Sequence, residues 1–179
     1  QVFRPTGTTS RLQVGNVATS ASGVAGIDFC PSNKVMGSRI ECQAQEDFST
    51  SANRTAELVF FTRHNGTSSE KVRITSGGSV GIGLTNPEVQ YFNNLVVGNN
   101  VAGDKGITIR SNSGNSGILA FSDTDAADAN RYDGYIRYSH ADQHMSFYTA
   151  GANKRFTINE FGFVGVNTTQ HSIGQDTDN

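Results

Sequence analysis

The chain has 179 residues, a formal charge of -2 and a pI near 6.1, with 35% hydrophobic residues, 17% charged residues and no tryptophan. So near-neutral a balance gives no electrostatic footprint for nucleic acid or an anionic membrane surface, and no apolar run approaches the roughly 20 residues of a membrane helix. Charge is also too sparse for a self-repelling disordered tail, so the twenty glycines, set among many Ser, Thr and Asn residues, point to turns in a folded chain.

In chain order, "QVFRPTGTTS" (residues 1–10) has neither an initiator Met nor a signal-peptide core and is expected to be the linker of an excised or processed segment. "RLQVGNV" follows at Arg11–Val17. Cys30 and Cys42 are too few for a disulfide framework. A hairpin centred near Met36 would set them opposite each other, within bridging distance; otherwise they are two small, half-buried thiols. "ELVFFTRHNG" reads as an aromatic strand ending in a tight Asn-Gly turn. Val72 and Ile74 then alternate with Arg73 and Thr75, and Val80 and Ile82 with Gly81 and Gly83. The same period of two recurs at Ile107 and Ile109, and at Ile136 and Tyr138, predicting half-buried strands of four to six residues. "DTDAADANRYDG" has alanines, but its Asp and Asn residues favour turns over a helix interior. No helical stripe is present, and the fold class expected is all-β with short antiparallel strands.

The chain also repeats itself. "RLQVGNV" resembles "NLVVGNNV" at Asn94–Val101, and "VRITSGGSVGIGLTN" resembles "RFTINEFGFVGVNTTQ" near the end. Ile74 falls on Ile158, Gly78 on Gly162, Val80 on Val164, Gly81 on Gly165 and Ile82 on Val166. Two tandem β-modules are therefore expected, residues 11–90 and 91–170, joined around Thr85–Asn94 and followed by a tail, 171–179.

The chemistry that this pattern offers is thin. "GSVGIGLTNP" lacks the Lys-Ser/Thr of a P-loop and any following helix, so it is a poor phosphate cradle. Its glycines instead leave one strand face bare, where another backbone can approach. Asp123, Asp125, Asp128, Asn130 and Asp133 crowd one loop with oxygen ligands of the kind calcium takes, but the spacing misses the EF-hand pattern. His140, Asp142 and His144 alternate, which on a strand gives one face and in a turn gives solvated groups. No GxSxG elbow or other positioned nucleophile occurs, and the carboxylates lie mostly in turns, so neither an enzyme nor a cofactor is expected. Asn53, Asn65 and Asn167 match the glycosylation sequon, as an Asn/Thr-rich chain does by chance. Tyr91 and Phe92 in the join, and Tyr132 and Tyr135 beside the Asp-rich loop, are the aromatic candidates for ligand contact. They serve equally well as caps on strand ends.

"EKVRITSGGSVGIGLTNP" resembles the recurring G-x-V-G-I-G-T-x-x-P unit of bacteriophage and other viral tail-fibre proteins, many of which end in a self-cleaving chaperone domain. "RIECQAQEDFSTSANRTAELVFFTRHNG" and "ILAFSDTDAADANRYDGYIRYSHADQHMSFYTAGANKRFTI" extend the likeness, which runs from about Leu12 to Thr169. The chain departs from it at Val166-Asn167, where Ile-Gly is usual, and shows no chaperone domain after Gln170. The resemblance implies a homotrimeric, β-rich shaft or knob on a virion surface. Its partners would be two sister chains, other fibre or tail proteins and a host surface glycan.

The apolar content supports the trimer independently. Phe60, Phe61, Val72, Ile74, Val80 and Ile82 in one module, and Ile158, Val164 and Val166 in the other, are few for a module of about 80 residues. They are the residues expected to pack between chains. The function expected is a stiff spacer and contact surface in a viral fibre. A glycan-binding tip is the alternative, and a spike glycosidase ranks below both.

Overall fold

In the computed structural model, residues 13–17, 20–123 and 133–167 are described, and they carry no α-helix. The chain divides into two units, Gln1–Ile107 and Thr108–Asn179, each built on one sheet.

The first sheet holds β1 (Val24–Phe29), β2 (Ser38–Ala44), β3 (Ala56–His64), β4 (Thr67–Ile74), β5 (Val80–Ile82) and β6 (Leu95–Val97), in that order. Neighbours are antiparallel from β1 to β5. The second sheet runs β11-β10-β9-β8-β7, all antiparallel, from β7 (Ser116–Phe121), β8 (Gly134–Ser139), β9 (His144–Thr149), β10 (Asn153–Ile158) and β11 (Val164–Val166).

Turn chemistry sets the hairpins. Asn65 and Gly66 have φ of 46° and 83° between β3 and β4, the paired positive φ of a tight hairpin turn. Asn33 and Lys34 (φ 52° and 57°) do the same between β1 and β2, and Ala150 and Gly151 (φ 50° and 74°) between β9 and β10. The β1–β2 turn thus centres on Asn33-Lys34 rather than Met36. The partner of Cys42 moves with it by five positions, from Cys30 to Ala25, and both cysteines are free and exposed. The facing pair of thiols does not form, and the thiols are not half-buried.

The duplication is visible strand by strand. β7 to β11 repeat β1 to β5 in order and direction. The repeat extends to irregularities. Lys71 is an extra residue between Phe60↔Val72 and Phe61↔Glu70, and Arg155 is its counterpart between Phe147↔Phe156 and Tyr148↔Lys154. Each bulge carbonyl accepts an N–H from the end of the next strand, Gly83 to Lys71 (2.9 Å) and Asn167 to Arg155 (2.6 Å). Gly78 and Gly162 both have positive φ (88° and 83°), and so do Gly83 and Asn167 (84° and 52°). Asn replaces Gly at the last position because its short polar side chain tolerates the left-handed conformation better than other residues.

Three expectations fail locally. Strands of the first sheet reach seven to nine residues, longer than the alternation alone marks. Ile107–Arg110 forms no strand, although Ile107 and Ile109 alternate. Alternation becomes a strand only where a neighbour supplies hydrogen bonds, and the segment has no sheet partner among the described residues. Finally, β5 and β6 pair in parallel, joined by the twelve or so residues that a parallel connection requires. The segment matched in sequence to Arg11–Val17 is therefore the sixth strand of the first sheet.

Two apolar sheet faces as the candidate functional site

Register decides which residues share a face. In the first sheet, Ile27↔Ile40, Ile40↔Phe60, Phe60↔Val72 and Val72↔Ile82 lie across from one another, as do Cys42↔Leu58, Leu58↔Ile74 and Ile74↔Val80. Leu95 and Val97 continue these rows on β6. The expected packing residues Val72, Ile74, Val80 and Ile82 thus stand together on one face. In the second sheet, Leu119↔Ile136, Ile136↔Phe147, Phe147↔Phe156 and Phe156↔Val166 form one row, and Tyr138↔Met145, Met145↔Ile158 and Ile158↔Val164 the next. Ile158, Val164 and Val166 belong to this face. Phe60 stands on the first face as expected, whereas Phe61 pairs with Arg39 and Glu70 on the opposite, polar one. Ile27, Ile40, Leu58, Leu119, Ile136, Met145, Phe147 and Phe156 were missed as members. Each sits at alternate positions in its own strand, but only register shows that the strands agree.

Neither apolar face is fully covered by the described residues. On the first, Ile27, Ile40, Leu58, Ile74 and Ile82 are 37–41% exposed; on the second, Tyr138, Met145, Phe147 and Ile158 are 36–38% exposed and Leu119 is 52%. Side chains of this kind in the middle of a sheet are normally buried. The opposite faces carry the buried groups, and those are mostly polar. The buried hydrophobic side chains among the described residues are Val59 and Tyr148, whereas Glu41, Arg73, Thr75, Ser79, Ser139, Ser146 and Thr157 are buried polar ones.

On the polar face of the first sheet a charge ladder crosses four strands. Arg39 donates to Asp28 (Nε to Oδ1, 2.5 Å) and to Glu41 (2.9 Å); Gln43 donates to Glu41 (2.6 Å). Arg73 donates to Gln43 (3.2 Å), to both oxygens of Glu70 (2.8 and 2.5 Å) and to Glu57. The hydrogen bond from Arg39 holds the Asp28 carboxyl below the usual carboxylate range, against a small opposing effect of desolvation. Arg73 is held more firmly protonated, chiefly by its hydrogen bonds to Glu70, and then Glu57, against the cost of desolvation. On the second sheet the polar face is simpler: Ser146 and Thr157 hydroxyls meet at 3.3 Å, Tyr135 stacks on Tyr148 with centroids 4.2 Å apart, and Arg137 lies over the Tyr148 ring.

The bare glycine face meets a different neighbour from the one expected. A Cβ on Gly81 would lie 2.9 Å from the Leu84 carbonyl oxygen and 3.4 Å from Pro87, so the chain's own turn fills that space. Gly83 is required by its positive φ instead.

The remaining candidates scatter. Asp123 and Asp133 meet, with the Asp123 N–H donating to Asp133 (3.3 Å); hydrogen bonding to Asp133 and its charge raise the Asp123 pKa. Asp125, Asp128, Asn130 and Tyr132 lie outside the described residues. His140 and Asp142 are in the β8–β9 turn, where Ser139 Oγ donates to Asp142 (2.9 Å), and His144 opens β9. No cluster of metal-ligating side chains occurs among the described residues. Tyr135 has one ring face occupied by Tyr148. Tyr91 and Phe92 are 93% and 85% exposed and touch each other edge to face at 4.9 Å. No protein-family model matches the chain, and no curated protein matches it.

Proposed function

We propose that this chain is a segment of a viral fibre, as in a phage tail, in which three copies pack their apolar sheet faces together and act as a spacer and host-contact surface. The observation that carries this reading is the inversion of burial: polar side chains are covered within the chain and rows of Ile, Val, Leu and Phe are not. Exposed apolar patches of this extent mark interaction surfaces. Complete burial of such a side chain contributes about 1.5–3 kcal/mol, so covering the remaining two-fifths contributes about 1 kcal/mol per residue, repeated along both sheets. The likeness of "GSVGIGLTNP" to the tail-fibre unit supports the choice of a trimer and of a virion surface. In this arrangement the Val/Ile rows give stiffness, and the Ser, Thr, Asn and charged faces keep the assembly in solution. Light scattering on the intact chain at nanomolar concentration tests the reading: three times the chain mass of 19.1 kDa is expected, and 19.1 kDa would overturn it.

A second reading, a glycan-binding tip, is favoured by one observation, the exposed Tyr91–Phe92 pair. Specific binding of one sugar on a glycan array, abolished by Tyr91→Ala, would move the function from spacer to receptor contact.

A further inference from the structure

The two sheets differ at one end. In the first, β5 is covered by β6 in parallel, with Val80↔Leu95, Gly81↔Val96 and Ile82↔Val97. Val80 N–H donates to Asn94 O and Gly98 N–H to Ile82 O, both at 2.9 Å. In the second, β11 is the edge, and nothing pairs with its outer side among the described residues. Its polar groups are arranged as those of β5. Phe163 O and Asn167 N are bonded towards β10, as Ser79 O and Gly83 N are towards β4. Gly165 pairs inward with Thr157, as Gly81 does with Arg73, so Val164 and Val166 present their N–H and C=O groups outward. Val164 and Val166 are 57% and 69% exposed. An open edge with this pattern is a template for one more parallel strand.

The chain carries a second copy of the strand that fits. Asn94-Leu95-Val96-Val97-Gly98-Asn99, which covers β5, aligns with Arg11-Leu12-Gln13-Val14-Gly15-Asn16, with Leu, Val, Gly and Asn shared. Of the latter, residues 13–16 are described; they are exposed and in no strand, tied to the sheet by Asn16 Nδ2 donating to Val24 O (3.0 Å). We infer that the Arg11–Asn16 segment of a second copy of this chain docks on β11 as a parallel strand. By the register of β5 and β6, its Leu12 faces Val164, its Gln13 faces Gly165 and its Val14 faces Val166. Val164 N–H then donates to Arg11 O, and Gly15 N–H to Val166 O. A contact between the Arg11–Asn16 segment of one copy and β11 of another is heterologous, so copies join head to tail, in an open chain or a closed ring. The inference stands apart from the trimer, because it uses strand edges where the trimer uses sheet faces.

The test is sedimentation velocity on the intact chain over a range of concentrations, with amide hydrogen exchange at Val164 and Val166. Species should grow with concentration beyond the base particle, whether that is one chain or three, and both amides should be protected. A synthetic peptide of residues 11–17 should cap the growth and keep the amides protected. Gln13→Pro lies in an exposed segment outside any strand, so folding is unaffected; it removes the N–H that the Val96 position supplies in the parallel ladder, and both growth and protection should be lost. Unchanged mass at every concentration together with no effect of the peptide would overturn the inference. Protection of the two amides that survives Gln13→Pro would overturn it as well, by showing a different strand on that edge.

Discussion

Ile82→Asp separates a covered apolar face from an open one. Ile82 stands on β5 between Val72 and Val97 and is 41% exposed in the single chain. In a solitary chain the substitution loses the part of the side chain already covered, about 1–2 kcal/mol, and the new carboxylate keeps its water. In a trimer that face is dry, and each carboxylate gives up hydration at a cost of several kcal/mol. Three of them meet in one layer and repel one another, so the penalty per assembly exceeds about 10 kcal/mol and the trimer dissociates or does not form. Light scattering reads the mass, expected to fall from three times 19.1 kDa to 19.1 kDa or to pass into aggregate, and circular dichroism reads whether the strands persist. Val80→Asp should behave alike, since Val80 lies on the same face. A variant with unchanged mass and unfolding midpoint would refute the reasoning, because no buried layer could absorb three charges without response.

Arg73→Leu strands Glu57 and Glu70, both 12% exposed, without their common counter-charge; urea unfolding should show a loss of about 3–5 kcal/mol, most of it recovered when both glutamates become Gln. A loss below about 1 kcal/mol would mean that the ladder does not hold the sheet. Asp28 has a lowered folded-state pKa, so its contribution is complete above the ordinary carboxylate pKa and disappears as pH falls through the lowered value. The carboxyl titration of Asp28, followed by NMR, should return to the usual range in Arg39→Leu and stay low if another group were responsible. Asn167→Gly should be neutral or stabilising and Asn167→Val destabilising by about 1–2 kcal/mol, because φ there is positive; equal midpoints for the two variants in thermal melts would contradict the left-handed turn.

Much of the fold could be read from alternation and punctuation. Val72/Ile74, Val80/Ile82 and Ile136/Tyr138 mark β4, β5 and β8, and Asn65-Gly66 marks a hairpin. The repeat was legible because Gly78 and Gly162 occupy the same positive-φ turn and cannot easily drift. β6 was hidden because "TNPEVQYFNN" reads as a linker, and a parallel pairing leaves no turn signal beside the strands it joins. The cysteine pairing failed because the turn centres between Asn33 and Lys34 rather than on Met36, which moves every cross-strand partner by five positions. Ile107 and Ile109 show the converse, a pattern without a neighbour.

Alternation also leaves open which face is the inside. Arg39, Glu41, Gln43 and Arg73 alternate with Ile40, Cys42, Val72 and Ile74, a pattern that ordinarily sends charge to solvent. Here Glu41 and Arg73 are 4% and 9% exposed, while Ile40 and Ile74 are 38% and 37% exposed. Gly81 helps to explain the reversal. It lies on the polar face opposite Arg73, and its missing side chain admits the Leu84 carbonyl and Pro87, which is itself buried. The turn leading to β6 therefore covers the polar side, and any larger residue at Gly81 would meet backbone at 2.9 Å and push that turn away. With the charges bonded to one another on the polar side, the large surface left to bury among the described residues is the apolar one, the face that the proposed trimer would pack between chains.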